Sequence, residues 1–440
     1  MALSETWYPR YHYGWSELTS IRDGRYKFIA APRRELYDLQ TDPGETHDLS
    51  STNPRLTDTL DQALVDLVTK TSSRRGARGP EPVDPDVEER LRALGYVGGS
   101  VSRRNLEMRP RGDPKDKIAL YNLLKMAAAD SVDGRIDDAI AKVHMAIAAD
   151  ADIVEAYTML GNMHVKAKRY EQGVAAYQKA LALDPEHEGA AFSLALAFKQ
   201  MGRPADAEAG FERVLTLNPR STKSQWQLAD IWMQRGEFDR AEATLKDALG
   251  KKVERPSFLV KLGESYYEQR RYDEAERALR QALELKADQA SAHYDLALIH
   301  EGRNQVDQAI TEYEAELRLN SKMYRAHFNL AKLLTGQGQR PEAVAHFREA
   351  VAAQPDFGAG YLYLAKALLD AGDLQASEEA ARKGLASRPD ADVAPLGHYV
   401  LADVYTRMAR PREAAREVEE GQRLERHVRA PSAGRVGSLK

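Results

Sequence analysis

A period of 34 residues governs most of this sequence. A leucine followed by a small residue returns at that interval, in Leu160-Gly161, Leu194-Ala195, Leu228-Ala229, Leu262-Gly263, Leu296-Ala297, Leu330-Ala331 and Leu364-Ala365. A further row at the same interval holds Tyr177, Phe211, Leu245, Leu279, Tyr313, Phe347 and Ala381. Periods of this length predict stacked helical hairpins, because one hairpin cannot bury its apolar side without a neighbour.

Proline recurs at one common position near the end of several units, at Pro185, Pro219, Pro355 and Pro389. The period and these residue types together resemble the tetratricopeptide repeat. The resemblance implies a mainly α fold, a right-handed solenoid of about nine helix pairs whose first helices line the concave side. We expect the repeats to span residues 113–428 and a flexible tail to follow over 429–440.

Within each unit, a turn joins the two helices and often contains glycine, which accepts the positive φ common at helix ends. These turn glycines are Gly134, Gly202, Gly236, Gly338 and Gly372. The nine repeats start near Leu120, Val154, Glu188, Thr222, Pro256, Ala290, Tyr324, Gly358 and Pro395. In the second helix of the sixth repeat, Glu316 stands where a small residue is expected. Its side chain would either loosen the junction with the seventh repeat or extend to solvent.

The first 70 residues follow a different pattern. Two strand-like runs, 16–22 and 25–29, flank Asp23-Gly24, which is a strong signal for a hairpin turn. A third short strand is predicted over 35–39, and Asn53-Pro54 then opens a helix. The apolar stripe of that helix consists of Leu56, Leu60, Leu64, Leu67 and Val68. We therefore expect a small α+β subdomain, a short antiparallel sheet plus a helix, over residues 1–70.

Three motifs in this section carry a second resemblance. They are Ile21-Arg22-Asp23-Gly24-Arg25-Tyr26-Lys27-Phe28-Ile29, Glu35-Leu36-Tyr37-Asp38-Leu39 and Asp42-Pro43-Gly44-Glu45. Their order is similar to that in the carboxy-terminal subdomain of sulfatases, of the alkaline-phosphatase superfamily, some bacterial members of which continue into tetratricopeptide repeats. The family's nucleophile motif, Cys- or Ser-x-Pro-x-Arg, is absent, and its metal ligands lie upstream of this subdomain. We therefore assign no catalytic, cofactor-binding or metal-binding residue and do not expect this chain to be an enzyme.

Residues 71–112 are predicted to be a linker, with a possible short helix over 87–94. Its basic residues, Arg103, Arg104, Arg109 and Arg111, have no interleaved aromatic side chains, so we expect no nucleic-acid binding. His12 lies among Trp7, Tyr8, Tyr11, Tyr13 and Trp15. It would be either at the rim of a cleft or a packed structural histidine.

Composition excludes several kinds of site. Cysteine is absent, which removes disulfides and thiolate metal ligands, and the net charge of −4 gives no general attraction to nucleic acid. His293 and His327 share one repeat position, which favours a structural role over a metal site. No run of about 18 apolar residues occurs, so we expect no membrane insertion. The amino terminus lacks the pattern of a signal peptide, and the compartment stays open: cytoplasmic, or periplasmic for a sulfatase fusion.

The fifth residue of each first helix faces the groove or its edge in tetratricopeptide repeats. Here that row consists of Thr158, Phe192, Trp226, Val260, Tyr294, Phe328, Leu362 and Tyr399. Nearby charges are acidic in the middle repeats (Asp230, Glu264, Glu268, Glu301) and basic later (Arg325, Lys332, Lys366). Aromatic side chains are enriched at binding hot spots, but at helical spacing they also serve as interhelical packing. Both interpretations remain open at this point.

The groove interpretation predicts a protein or peptide partner, bound in extended or helical form. Its candidate residues are Phe192, Trp226, Tyr294, Phe328, Tyr399, Glu264, Lys332 and Lys366. Asn162 and Asn329 match single positions of the carboxylate clamp of co-chaperone repeats, but the lysines of that clamp are missing. We thus predict a non-enzymatic interaction scaffold. The alternative is the carboxy-terminal part of a sulfatase–repeat fusion.

Overall fold

A computed structural model describes residues 2–6, 15–75, 112–250 and 256–429. Several predictions fall on other residues: His12 and most of its aromatic neighbours, the linker beyond residue 75, the short helix over 87–94, the basic run and the tail from 430 onward. The chain divides into two compact units, residues 1–237 and 238–440. Each unit is described by itself below.

The first unit begins with a four-stranded antiparallel sheet in sequential order. Its strands are β1 (Ala2–Thr6), β2 (Leu18–Arg22), β3 (Tyr26–Ala30) and β4 (Glu35–Asp38). The hairpin at Asp23-Gly24 is present, and Gly24 adopts a φ of 102°. The prediction of three strands was wrong by one, since β1 is an additional edge strand. Most of its residues are exposed, so its sequence lacks the apolar alternation that identifies a strand.

Helix α1 (Pro54–Arg75) covers one face of this sheet. Ile21, Phe28 and Leu36 come from successive strands and pack in register against Leu60 and Leu64 of the helix. All five side chains are buried. Alternation on the strands and helical spacing on α1 thus build one small core, as the sequence predicts.

Helices in pairs make up the rest of the described residues. They are α2 (Ile118–Val132), α3 (Ile136–Ala149), α4 (Val154–Lys166), α5 (Tyr170–Leu183), α6 (Glu188–Gln200), α7 (Pro204–Leu217), α8 (Thr222–Gln234), α9 (Phe238–Gly250), α10 (Pro256–Glu268), α11 (Tyr272–Leu285), α12 (Ala292–Gly302), α13 (Val306–Leu319), α14 (Tyr324–Gly336), α15 (Arg340–Ala353), α16 (Gly358–Asp370), α17 (Leu374–Ala386), α18 (Ala394–Arg407) and α19 (Pro411–Arg429). The mainly α repeat architecture is therefore confirmed. The boundary between the units falls between α8 and α9.

The small residues of the 34-residue period lie where the two helices of a unit cross. A Cβ atom added to Gly161 would come within 2.4 Å of the Tyr177 ring on the second helix. One added to Gly263 would come within 2.8 Å of Leu279. The recurring small residue thus permits the close approach, and the recurring large residue fills the space beside it.

The turn between the helices has the same backbone shape in all the repeats. The predicted glycines take positive φ, for example 84° at Gly372. Four repeats place another residue there, also at positive φ: Lys168, Arg270, Asn304 and Ala409. The turn geometry is therefore set by the repeat, and glycine is the residue that adopts it without steric cost.

Glu316 lies inside the second unit. Its side chain is only 1% exposed, and its Oε2 accepts a hydrogen bond from the backbone N–H of Tyr294 at 3.4 Å. Of the two alternatives given for this side chain, extension to solvent is wrong, because the side chain is enclosed between α12 and α13.

The sheet docks on the first repeat within the first unit. Trp15, just before β2, packs into the core formed by α2 and its neighbours. Lys115 lies 3.0 Å from the Glu35 carboxylate and donates a hydrogen bond of 2.7 Å to the Arg33 carbonyl. Asp113 accepts from the backbone N–H of Arg33 at 3.1 Å. The sheet thereby covers part of the first repeat, which has no preceding repeat against it.

Candidate functional site

The aromatic row on the first helices packs against the second helices. In the first unit, the ring of Phe192 on α6 lies 5.4 Å from that of Phe211 on α7. Trp226 on α8 is half-buried. Thr158 is buried, and its hydroxyl donates to the Val154 carbonyl at 3.1 Å. In this unit, therefore, the row contributes to helix packing.

The second unit repeats the arrangement. Tyr294 lies 5.7 Å from Tyr313 and Phe328 lies 5.8 Å from Phe347, as distances between ring centroids. At Gly421 of α19 an added Cβ would come within 2.9 Å of the Tyr399 ring, so this glycine permits the close approach of the two helices. Each of the five aromatic rings is only half-buried, so packing leaves part of each ring open.

A polar network joins the aromatic row to the seventh repeat. The Asn329 amide donates to the Tyr313 hydroxyl at 3.0 Å and to that of Tyr294 at 3.4 Å, and the Tyr313 hydroxyl donates to Glu301. Burial, followed by the charge of Glu301, raises the pKa of Tyr313. Asn162 in turn accepts from the Tyr177 hydroxyl at 2.7 Å. Both asparagines that match single clamp positions thus have partners inside the chain.

The acidic side chains beside the row are engaged by neighbours. Asp230 lies 2.5 Å from the Lys199 ammonium in the first unit. Glu264 lies 3.7 Å from Lys261 in the second unit. These contacts reduce the negative charge that either carboxylate presents to a partner.

The basic side chains are less engaged. Arg325 donates to the Tyr324 hydroxyl at 3.1 Å, and Lys332 lies 5.7 Å above the centroid of the Phe328 ring. Neither forms an ion pair within the part of the chain that the structure describes. Lys366 is 51% exposed and reaches Asp370 at 3.4 Å. The exposed charge on this part of the second unit is therefore mainly positive.

The second unit also contains a buried carboxyl group. Asp295 on α12 is 9% exposed, and its Oδ2 has no hydrogen-bond partner among the described residues. Burial raises the pKa of Asp295 well above its usual value, and the charges of Glu264 and Glu316 raise it further. The burial of Asp295 was not predictable from the sequence, because a single aspartate on a polar helix face is ordinarily solvated.

Three histidine pairs bridge the first and second helices of their repeats. His293 Nδ1 lies 2.6 Å from Glu312, and His398 Nδ1 lies 2.7 Å from Glu417. In the seventh repeat a second histidine replaces the glutamate, and His327 Nδ1 lies 2.9 Å from His346 Nδ1. The common repeat position of His293 and His327 indicates such a structural role, but their partners were not predicted.

A cleft of about 570 Å³ lies among α11, α12 and α13 and includes His300, Arg280 and Arg303 in its lining. Arg280 and Arg303 both bind Glu276, at 2.7 and 2.5 Å. Because its charges neutralise one another, this cleft offers no concentrated charge to a ligand.

The motif residues of the sheet bind one another. Arg25 lies 2.6 Å from Asp38, and this pairing lowers the pKa of Asp38 to about 2. Lys27 lies 2.6 Å from Glu45. The charged residues of these motifs thus hold the hairpin and the following turn together.

The described ranges contain neither a metal-binding cluster nor a membrane-spanning helix. No group of three or more histidine or carboxylate side chains there could hold a metal ion. No helix in the same ranges is both long and apolar enough to cross a membrane.

Family models described as "Tetratricopeptide repeat" match residues 154–187, 200–258, 260–324 and 328–392, together just over half of the chain. A curated relative is the small glutamine-rich tetratricopeptide repeat-containing protein 2 of Mycosarcoma maydis, 26% identical over 190 residues. That alignment covers 38% of this chain and 52% of the relative. The chain thus spans about half the length of the curated relative that it matches.

Solved structures of other repeat proteins are similar to parts of this chain. The carboxy-terminal part of a repeat-containing protein from Cytophaga hutchinsonii has a TM-score of 0.43 at 14% identity, covering 53% of this chain and 95% of that one. The Cut9–Hcn1 tetramer of the APC/C gives 0.45 at 15% identity, covering 63% and 55%. YrrB, titled a protein with an unusual peptide-binding site, gives 0.33 at 17% identity, covering 42% and 94%. At these TM-scores the likenesses support no statement about function.

Proposed function

We propose that this chain, which belongs to the tetratricopeptide repeat family, is a protein-interaction scaffold that holds a peptide or protein along its first helices. The observation that carries the proposal is the aromatic row. All five rings stay half exposed, and those of Phe192, Tyr294 and Phe328 are anchored against rings of second helices. The exposed ammonium groups of Lys332 and Lys366 lie on first helices of the second unit, α14 and α16. Rigid aromatic side chains with an open edge are typical of binding hot spots.

A role as a scaffold also agrees with the absence of a catalytic assignment. The sulfatase nucleophile motif does not occur in the sequence. Among the described residues, several titratable groups with shifted pKa values form ion pairs inside the chain, as Asp38 does with Arg25 and Glu276 with Arg303. We therefore propose binding without chemistry.

The test begins with the tagged full chain, from which a co-purifying protein is identified and then prepared pure. Its dissociation constant is measured against wild type and against Lys332→Ala/Lys366→Ala. Both lysines are exposed, so the variant should keep its melting temperature. We expect binding at least tenfold weaker.

The matched control is Lys286→Ala/Lys322→Ala, which removes two exposed lysines from the connections between repeats. It should bind the pure partner as wild type does. Equal affinity of all three proteins would contradict a partner-binding role for the first-helix surface.

A second candidate function rests on the sheet. Residues 15–75 contain the motifs that resemble the sulfatase subdomain, and within them Arg25 pairs with Asp38 and Lys27 with Glu45. In this alternative the chain is the carboxy-terminal part of a sulfatase–repeat fusion, and its repeats recruit the enzyme to a complex. Sequencing the DNA upstream of Met1 tests this: an open frame encoding Cys- or Ser-x-Pro-x-Arg supports it, and a stop codon in frame excludes it.

A further inference from the structure

Two cations of the seventh repeat are exposed and lack carboxylate partners within the described ranges. Arg325 and Lys332 lie on one face of α14, seven residues apart, which places them roughly 10 Å apart along the helix axis. Among the described residues, the polar contact of the Arg325 side chain is with the Tyr324 hydroxyl. A partner's carboxylate would therefore meet charges that are not already neutralised inside the chain.

Aromatic side chains lie between and beside these cations. Phe328 stands between them on α14, and Lys332 lies over its ring at 5.7 Å. Tyr363 on α16 meets Phe328 edge to face, with the centroids 5.2 Å apart. Tyr294 on α12 lies near Arg325. Burial raises the pKa of Tyr294, and the positive charge of Arg325 opposes that rise. We call Tyr294, Arg325, Phe328, Lys332, Tyr363 and Lys366 the cationic aromatic surface.

We infer that the cationic aromatic surface binds an acidic, partly apolar segment of the partner protein in extended form. A chain in the extended polyproline II form rises about 3.1 Å per residue and has three residues per turn, so two acidic side chains three residues apart lie on one face and span roughly 9 Å. They would reach Arg325 and Lys332 together, with an apolar side chain between them on Phe328 and Tyr363. This inference rests on the proposed scaffold function and adds the chemistry of the segment that is recognised.

The acidic groups of this segment are side-chain carboxylates of the partner and not its carboxy-terminal carboxylate. Asn329, which matches one position of the known carboxylate clamp, is occupied by Tyr313 and Tyr294. The cations here lie at other positions of the helix, on either side of an aromatic ring. A free carboxy terminus is therefore not required.

A protein segment fits this surface better than a nucleic acid does. The Phe328 ring meets Tyr363, Phe357 and Phe347, edge-on or nearly so, so little of its face is open for a base to stack. Glu264, Glu268 and Glu301 lie on the first helices of the two preceding repeats, where they would repel a phosphate backbone. A short acidic segment confined to the seventh and eighth repeats avoids that repulsion.

The probe is a fluorescein-labelled peptide of twelve residues with Glu-Leu-Ser-Glu at its centre, and binding to the full chain is followed by fluorescence anisotropy. Comparison peptides carry Gln-Leu-Ser-Gln or Lys-Leu-Ser-Lys. We expect the acidic peptide to bind at least tenfold more tightly than either, and to weaken as salt is raised from 50 to 300 mM. Equal binding of the acidic and glutamine peptides would overturn the inference.

The variant that tests the site is Arg325→Glu/Lys332→Glu. Its control is Arg318→Glu/Arg348→Glu, which makes the same change in net charge at exposed positions of the second helices α13 and α15. The first variant should lose at least tenfold in affinity for the acidic peptide, and the control less than twofold. Equal losses would mean general electrostatic attraction and would overturn the inference.

Two further measurements, one on a milder variant and one with RNA, distinguish loss of the proposed site from misfolding and from nucleic-acid binding. If the charge-reversed variant does not fold, Lys332→Gln replaces it, and a loss below twofold then counts against the site. A twelve-nucleotide uridylate oligomer that binds more tightly than the acidic peptide, and that loses affinity in the same variant, would assign the surface to RNA and overturn the inference. If every peptide fails while the purified partner still depends on Lys332 and Lys366, the inference falls and the scaffold proposal stands.

Discussion

The carboxyl of Asp295 shows how one residue shapes the repeats around it. It is enclosed near Glu264 and Glu316, and Lys261 is the cation that opposes their effect on its ionisation. Its pKa is raised in the folded chain, so the folded state holds a proton that the unfolded state releases above pH 4 or so. The stability contributed by this proton is therefore complete in acid and is lost as pH rises through the folded pKa.

We predict that Asp295→Asn raises the free energy of unfolding at pH 7 by about 1–3 kcal/mol. The amide cannot ionise, so the variant avoids placing a buried negative charge near those of Glu264 and Glu316. Urea unfolding at pH 5 and pH 7 measures the effect, which should be larger at pH 7. The control Asp288→Asn, at an exposed position, should change stability by less than about 0.5 kcal/mol. A destabilised Asp295→Asn at pH 7 would contradict this account.

The interhelix turn gives a second prediction for single residues. Gly372 and Ala409 both have positive φ, of 84° and 55°, and an added Cβ at Gly372 meets nothing within 4 Å. Gly372→Ala should therefore destabilise by about 1 kcal/mol through the backbone alone. Ala409→Gly should stabilise by roughly 0.5 kcal/mol, because relief of strain outweighs the added freedom of the unfolded chain. Chemical unfolding measures both, and the same sign for the two changes would contradict the assignment.

At the scale of the helix pair, His327 and His346 stand where two other repeats place a histidine and a glutamate. Burial lowers the pKa of His346, the charge of His327 lowers it further, and Glu314 and Glu349 oppose the shift. A lowered pKa means that the unfolded chain binds the proton more readily. Stability should therefore fall as pH drops below about 6.5.

We predict that His346→Glu reduces this loss of stability by about 1 kcal/mol between pH 7.5 and pH 5.5. The variant recreates the pairing of His293 with Glu312 and removes the imidazole of position 346 from beside His327. Urea unfolding at the two pH values measures it. His427→Glu, at an exposed position of α19, is the matched control and should leave the pH dependence near that of wild type. An unchanged pH dependence in His346→Glu would rule out the pair as its source.

Helices and strands differ in how far the sequence predicted them. The repeats were predictable because Leu262-Gly263 and the residues like them recur wherever two helices cross. Strand β1 was missed because Ala2–Thr6 is mostly exposed and lacks alternation. For Glu316 the sequence left two alternatives open, because a residue type alone does not show how tightly its neighbours enclose it.

Across the whole molecule, the candidate binding residues were predictable in type but not in their surroundings. The sequence could place Tyr294, Phe328 and Lys332 on first helices. It could not show whether these rings pack between helices or bind a partner. A half-buried ring such as Phe328 packs against the second helix on one side and is exposed on the other. Nor could it tell which charges are paired inside the chain, since ion pairs depend on distances between helices.

The central claim is that a partner protein binds along the first helices. Zero-length carbodiimide cross-linking of the full chain to its purified partner, followed by mass spectrometry, tests this most directly because it joins lysines to carboxylates in contact. We predict links from Lys332 and Lys366 to acidic residues of the partner. Lys179 and Lys383, exposed on second helices, should form none. Links from Lys179 and Lys383 alone would contradict the claim.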